Sequence, residues 1–116
     1  MSKRQLLSVN EEVKGEVKIL YKNKSVSNVR LIILKIWNSG STPILPQEYI
    51  DPIKFEFEEN EEILDADVLE TVPSNIKDKA KASMKLDTKS VTFEPLLLNS
   101  KDSITFNTNS RSKRPF

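Results

Sequence analysis

Six carboxylates crowd the middle of the chain: Glu58, Glu59, Glu61, Glu62, Asp65 and Asp67. Calcium takes six to eight oxygens, often from carboxylates in one loop. This stretch has no Asp-x-Asp-x-Asp-Gly pattern and no glycine to fold the backbone around an ion. It reads as a solvated hairpin tip whose charges blunt a sheet edge. Asp65 and Asp67 share one strand face, as a glycosidase pair could. That chemistry needs carboxylates roughly 5–10 Å apart across a substrate cleft. Alternate residues on any strand meet the spacing, and a thin sandwich offers no deep cleft. Lys77, Lys79, Lys81, Lys85 and Lys89 form a basic row that could track phosphates. Nucleic-acid binders interleave aromatics for stacking, and this row has none. Charge pairing with a neighbouring acidic strand is the simpler reading, so no nucleic-acid partner is expected.

Trp37 could join Tyr21 or Tyr49 as a sugar-stacking platform. The chain has only one Trp and two Tyr, so Trp37 reads first as a residue capping the core. A serine nucleophile needs a base. There is no histidine and no cysteine, and Gly15 and Gly40 are the only glycines. Disulfides, thiolate metal sites and phosphate-cradling glycine loops are therefore excluded. The expectation is a protein that is not an enzyme and takes no cofactor or metal. Its candidate interaction surface comprises Trp37, Tyr49, Lys79, Lys81, Lys85, Asp65 and Asp67.

The elements that must carry these residues are strands. A chain of 116 residues with 37% apolar residues suits one domain with a thin core, such as two sheets face to face. Eighteen basic residues against 17 acidic ones leave a net charge of +1, with no pull toward nucleic acid or anionic membrane. No apolar run reaches the length of a signal-peptide core or a membrane span, so the chain as written reads as soluble and cytoplasmic. Residues 1–15 read as a flexible arm and 108–116 as a disordered basic tail. Between them, 16–107 alternate with a strand's period. Val29–Trp37, VRLIILKIW, is apolar on both faces, as a central strand covered on both sides would be. Asn38-Ser39-Gly40-Ser41 is a turn. Phe55 and Phe57 point inward, as do Leu64, Ala66 and Val68 on the return strand. Ala80, Ala82, Met84 and Leu86 continue the pattern, then Val91, Phe93, Ile104 and Phe106. The inward set is completed by Val17, Ile19, Leu31 and Ile33. About seven strands with turn signals every 8–12 residues and no convincing helix predict an all-β, immunoglobulin-like β-sandwich with Greek-key connections.

The segments KIWNSGSTPILPQEYIDPIKFEF, ILDADVLETVPSNIK and VTFEPLLLNSKDSITF resemble an uncharacterised bacterial domain family. In that family an immunoglobulin-like sandwich often sits beside predicted membrane helices. The resemblance spans 16–107 and implies no activity. It implies a non-catalytic interaction or accessory module, the soluble part of a membrane-associated bacterial assembly, with any membrane association made through a parent protein. Lys101 stands where the family's last turn usually carries glycine. The alternative is a module for carbohydrate or another small ligand.

A protein partner is expected, with at most weak homo-oligomerisation. Residues 53–70 carry eight acids against one lysine, and 74–90 five lysines against two aspartates. These segments either neutralise each other within one molecule or make a head-to-tail contact between two. Metal independence is directly measurable: melting with excess chelator should match melting with added calcium, and a rise of several degrees with calcium would promote the Glu58–Asp67 stretch to a binding site.

Overall fold

A computed structural model describes residues 8–9, 17–26, 29–58 and 60–112. The protein is an all-β sandwich of two antiparallel four-stranded sheets. The strands are β1 (Ser8–Val9), β2 (Val17–Val26), β3 (Val29–Asn38), β4 (Ile53–Glu56), β5 (Glu61–Val72), β6 (Met84–Leu86), β7 (Ser90–Phe93) and β8 (Ser103–Ser112). One sheet has the order β1-β4-β7-β6, the other β2-β3-β8-β5. Without the two-residue β1, the expected seven strands remain. In the immunoglobulin order the second strand pairs with the fifth. Here the place beside β3 is taken by the last strand, β8.

Inward residues from both sheets fill the core. Phe106 of β8 meets Phe55 of β4 with ring centroids 5.4 Å apart, and Phe93 of β7 edge-on at 4.9 Å. These tilted contacts are the preferred aromatic geometry, and they tie one sheet to the other. Ile32, Leu34 and Ile36 of β3 pack beside them, with Ile53, Val68, Val91 and Ile104. Ile44 and Leu98 bridge the two long connections, with backbone bonds in both directions of 2.8 and 3.0 Å.

Several expectations are corrected. β3 is central in its sheet, but the other sheet covers only one side of it. Ile32, Leu34 and Ile36 form its buried row, and Leu31 and Ile33 lie half-buried on the outer face. On β5 a register shift between Ile63 and Asp65 inserts an extra residue. Such a bulge moves everything beyond it to the opposite phase. Ile63 is therefore buried at 5% exposure, while Leu64 stands out at 41%. Leu86 is exposed too, on a three-residue strand at a sheet edge. The alternation expected from Ala80 onward is a helix at its start: α1 (Lys77–Ser83), with Ala80 fully buried. Ala80 and Met84, four apart, share a face in a helix as in a strand, so the alternation could not separate the two, and Ala82, expected inward, is exposed.

The termini also differ from expectation. Ser8 and Val9 of the arm pair with Glu56 and Phe55. β8 runs through Ser112, with Thr108 and Ser110 buried, so the first five residues of the expected tail are strand. A polar alternation of Asn, Thr and Ser hid this strand. The rest of both segments lies outside the described residues.

The bulge gives paired substitutions opposite outcomes. Phe55→Ala should cost roughly 3–5 kcal/mol in urea unfolding, and Leu64→Ala within about 0.5 kcal/mol. A large loss at Leu64 would mean that β5 buries the other face.

Candidate functional site

The outer face of the β2-β3-β8-β5 sheet gathers the chemistry that the core leaves over. Antiparallel register aligns it in cross-strand rows. Val72, Ser103, Trp37 and Lys18 form one row, and Glu70, Thr105, Lys35 and Leu20 the next. Then come positions 67, 107, 33 and 22, followed by 65, 109, 31 and 24. Residues directly opposite in such a pair share a face. Along the strands the face therefore reads as columns. β5 contributes the exposed acids Asp65, Asp67 and Glu70. β8 contributes Thr105, Asn107 and Asn109. β3 contributes half-buried Leu31, Ile33 and Trp37, with exposed Lys35 among them. β2 holds Lys18, Lys22 and Lys24 and no acid, and β5 holds five acids and no base.

Local contacts fix this surface. Lys35 Nζ lies 5.5 Å from the centroid of the Trp37 ring, within cation–π range. Asn109 Nδ2 donates to Asp65 Oδ1 at 2.6 Å, joining the amide column to the acid column. Asn107 Oδ1 is shielded from water and has no hydrogen-bond partner. A shielded acceptor with no donor is uncommon and costly.

Two turns hold the Trp37 end. Asn38 is fully buried and fully bonded. Its Nδ2 donates to Thr42 O at 2.8 Å and Leu98 O at 3.0 Å, and its Oδ1 accepts from Gly40 N at 2.9 Å. Asp102 Oδ2 accepts from Asn99 N at 2.9 Å, and Ser100 Oγ donates to Gly40 O at 2.6 Å. Lys101 takes a positive φ of 73°, which accounts for the glycine expected there. A side chain at such a position costs roughly 1–2 kcal/mol.

At the opposite end the core closes on a polar plug. Arg30 Nη2 meets Glu61 Oε2 at 2.8 Å, with the carboxylate almost wholly buried. Lys89 Nζ donates to Glu61 O at 3.3 Å. Glu61 thus departs from the solvated hairpin tip expected of its stretch. Among the described residues, no group of three His, Cys, Asp or Glu is placed to hold a metal ion.

The expected interaction surface divides. Trp37, Asp65 and Asp67 share the outer face. Trp37 does not cap the core, because residues at alternate β3 positions do. Lys79 and Lys81 are exposed on α1 and Lys85 on β6, away from that face. α1 packs beside β5, so the basic and acidic segments are neighbours within one molecule. Tyr49 is buried at 8% exposure and lies in the core. Burial pushes its hydroxyl up to about 12. Of the amide column, Asn109 falls in the stretch that reads as tail, and the polar alternation of Thr105 and Asn107 gives no signal of a shared face. The outer apolar column was visible there as two-sided hydrophobicity and was assigned to the core.

No protein-family model matches the chain, and no curated protein matches its sequence. Its fold is similar to that of bacterial β-sandwich domains. A family IIIA CBD (a cellulose-binding domain) from Clostridium cellulolyticum aligns with a TM-score of 0.52 at 15% identity, over 86% of this chain and 74% of that one. The CBM3a-L domain from scaffoldin CipA of the Clostridium thermocellum cellulosome aligns with a TM-score of 0.50 at 12% identity, over 89% and 71%. At these identities the likeness is one of fold.

Two ion pairs among the described residues should differ in weight. Removing one partner of a buried pair strands the other charge, so Glu61→Ala should cost about 3 kcal/mol or more. Lys54 and Glu56 pair at 3.1 Å in the open, and Lys54→Ala should cost under about 1 kcal/mol. Denaturant midpoints of the two variants check the difference.

Proposed function

We propose that this chain is a non-catalytic interaction module that binds a protein partner through the outer face of the β2-β3-β8-β5 sheet. The observation that carries the reading is the β3 column. Leu31, Ile33 and Trp37 are apolar, sit in the middle of a solvent face, and have no layer over them among the described residues. Apolar side chains set among charges on an uncovered face are the anatomy of a contact site, here Leu31 and Ile33 side by side and Trp37 beyond Lys35. The absence of histidine and cysteine from the sequence argues against histidine-activated nucleophiles and thiol chemistry. The segments quoted above favour a place among bacterial β-sandwich domains, with this chain as the soluble part of a membrane-associated assembly. Among the described residues, no helix is long and apolar enough to cross a membrane.

Carbohydrate binding is the second reading. The fold likeness to a CBD and a CBM3a-L domain favours it, as does Trp37 beside an amide and hydroxyl column. The supply of aromatics opposes it. Phe55, Phe57, Phe93, Phe106 and Tyr49 are all buried, so Trp37 has no described aromatic neighbour with which to build a flat stacking strip.

A photo-crosslinker at position 107, in the cells that make the protein, should yield protein adducts. The same probe at Lys54, on the other sheet, should not. Equal labelling at both positions, or none at 107, would overturn the protein-binding reading. Soluble glycans and microcrystalline cellulose decide the second reading: a ligand at 100 times its Kd stabilises the fold by about 2.7 kcal/mol, and such a gain, lost in Trp37→Ala, would establish it.

A further inference from the structure

We infer that the partner of this face is a second copy of the chain, stacked face to face about a two-fold axis parallel to the strands. The inference rests on the face proposed above and names its occupant.

Charge order carries it. The acid column lies at one margin of the face, on β5, and the lysine-bearing strand β2 at the other. A two-fold axis along the strands, between β3 and β8, reverses the order of the strands and keeps position along them. β5 of each copy then lies over β2 of the other, so acid meets lysine at both margins in the rows of positions 65 and 67, while Glu70 lies over Leu20 and Val72 over Lys18. Each cross-strand row meets its own copy: position 67 lies over position 22, and 65 over 24. Like charges stay apart, so the surface is self-complementary, as a closed isologous contact requires. Nothing in this arrangement asks β5 to accept another strand at its edge. There the Thr88 carbonyl already accepts from Ile63 N at 2.9 Å, and two register shifts break the ladder.

Size and shape agree. β2, β3 and β8 are ten residues long and β5 twelve. Strands about 4.8 Å apart, rising about 3.3 Å per residue, give this face roughly 600 Å². Two copies together cover roughly 1,200 Å², the lower end of specific interfaces. Sheets that stack with their strands nearly aligned are an established packing mode. The contact lays the β8 column of one copy over the β3 column of the other. That covers Ile33 and Leu31 of one copy with the Asn107 and Asn109 positions of the other.

Sedimentation equilibrium of the full chain tests this. In about 20 mM salt a monomer–dimer equilibrium is expected, with Kd weakening about tenfold or more by 500 mM salt, because exposed pairs are screened. Asp65→Lys with Asp67→Lys should abolish the dimer, as should Lys22→Glu with Lys24→Glu. All four positions lie on exterior or edge strands, and circular dichroism melts verify that each variant folds. Mixing the two double variants should restore a dimer, now mixed, because every reversed acid then meets a reversed lysine. A monomer at all concentrations and salts, mass growing past the dimer, or no recovery on mixing would each overturn the inference. The position-107 crosslinker separates it from the broader reading. Adducts at twice the chain mass support the self-dimer. Adducts with other proteins and none at twice the mass retain a protein-binding face while overturning the dimer.

Discussion

The side chain of Asn38 holds together the parts of the chain on which everything else depends. It ends β3, sits at zero exposure, and makes hydrogen bonds through both ends of its amide. Its backbone is engaged as well: its N–H donates to Asp102 O at 3.0 Å and its carbonyl accepts from Lys101 N at 2.8 Å. These bonds join the turn after β3 to the turn before β8, some sixty residues later. A buried amide left unpaired costs more than its bonds gain when satisfied, so the two turns fit in one arrangement. That arrangement places Trp37 opposite Ser103 and sets the β3–β8 register along the whole pair.

From this register the two faces of the sheet follow. Inward lie Ile104 and Phe106 beside Ile36 and Leu34, and Phe106 reaches across to Phe55 and Phe93. Farther along β8 the inward residues become Thr108 and Ser110, where the hydrocarbon core gives way to the Arg30–Glu61 pair. A thin sandwich needs its ends closed. One end is closed by the satisfied Asn38 and Asp102 turns, the other by a buried ion pair. The second closure contributes less, since burying two charges offsets most of their attraction.

Outward, the same register lines up acids, amides, apolar side chains and lysines in columns. Single exposed apolar residues are ordinary on any protein. An apolar column in the middle of a sheet face, with opposite charges at its two margins, is an arrangement with a direction. That asymmetry separates a surface able to choose a partner and an orientation from one that is merely wet.

The sequence by itself determined the class of structure and most of its chemistry. Strand-period alternation marked Phe55, Phe57, Val91, Phe93, Ile104 and Phe106, and all six are buried. The lack of histidine, cysteine and glycine-rich loops bounds the function from composition alone. What it left open turned on pairing between distant segments. Which side of VRLIILKIW faces the core depends on a second sheet that β3 cannot specify, because it carries large apolar residues on both sides. Whether Leu64 or Ile63 points inward depends on a bulge formed only against β8. The polar alternation Asn107–Ser110 becomes strand only because β3 and β5 flank it. Tyr49 is buried because a long irregular connection folds back over the core, which no local period encodes. Local sequence carries side-chain period, while cross-strand register and the choice of covered face arise only from contacts far apart along the chain.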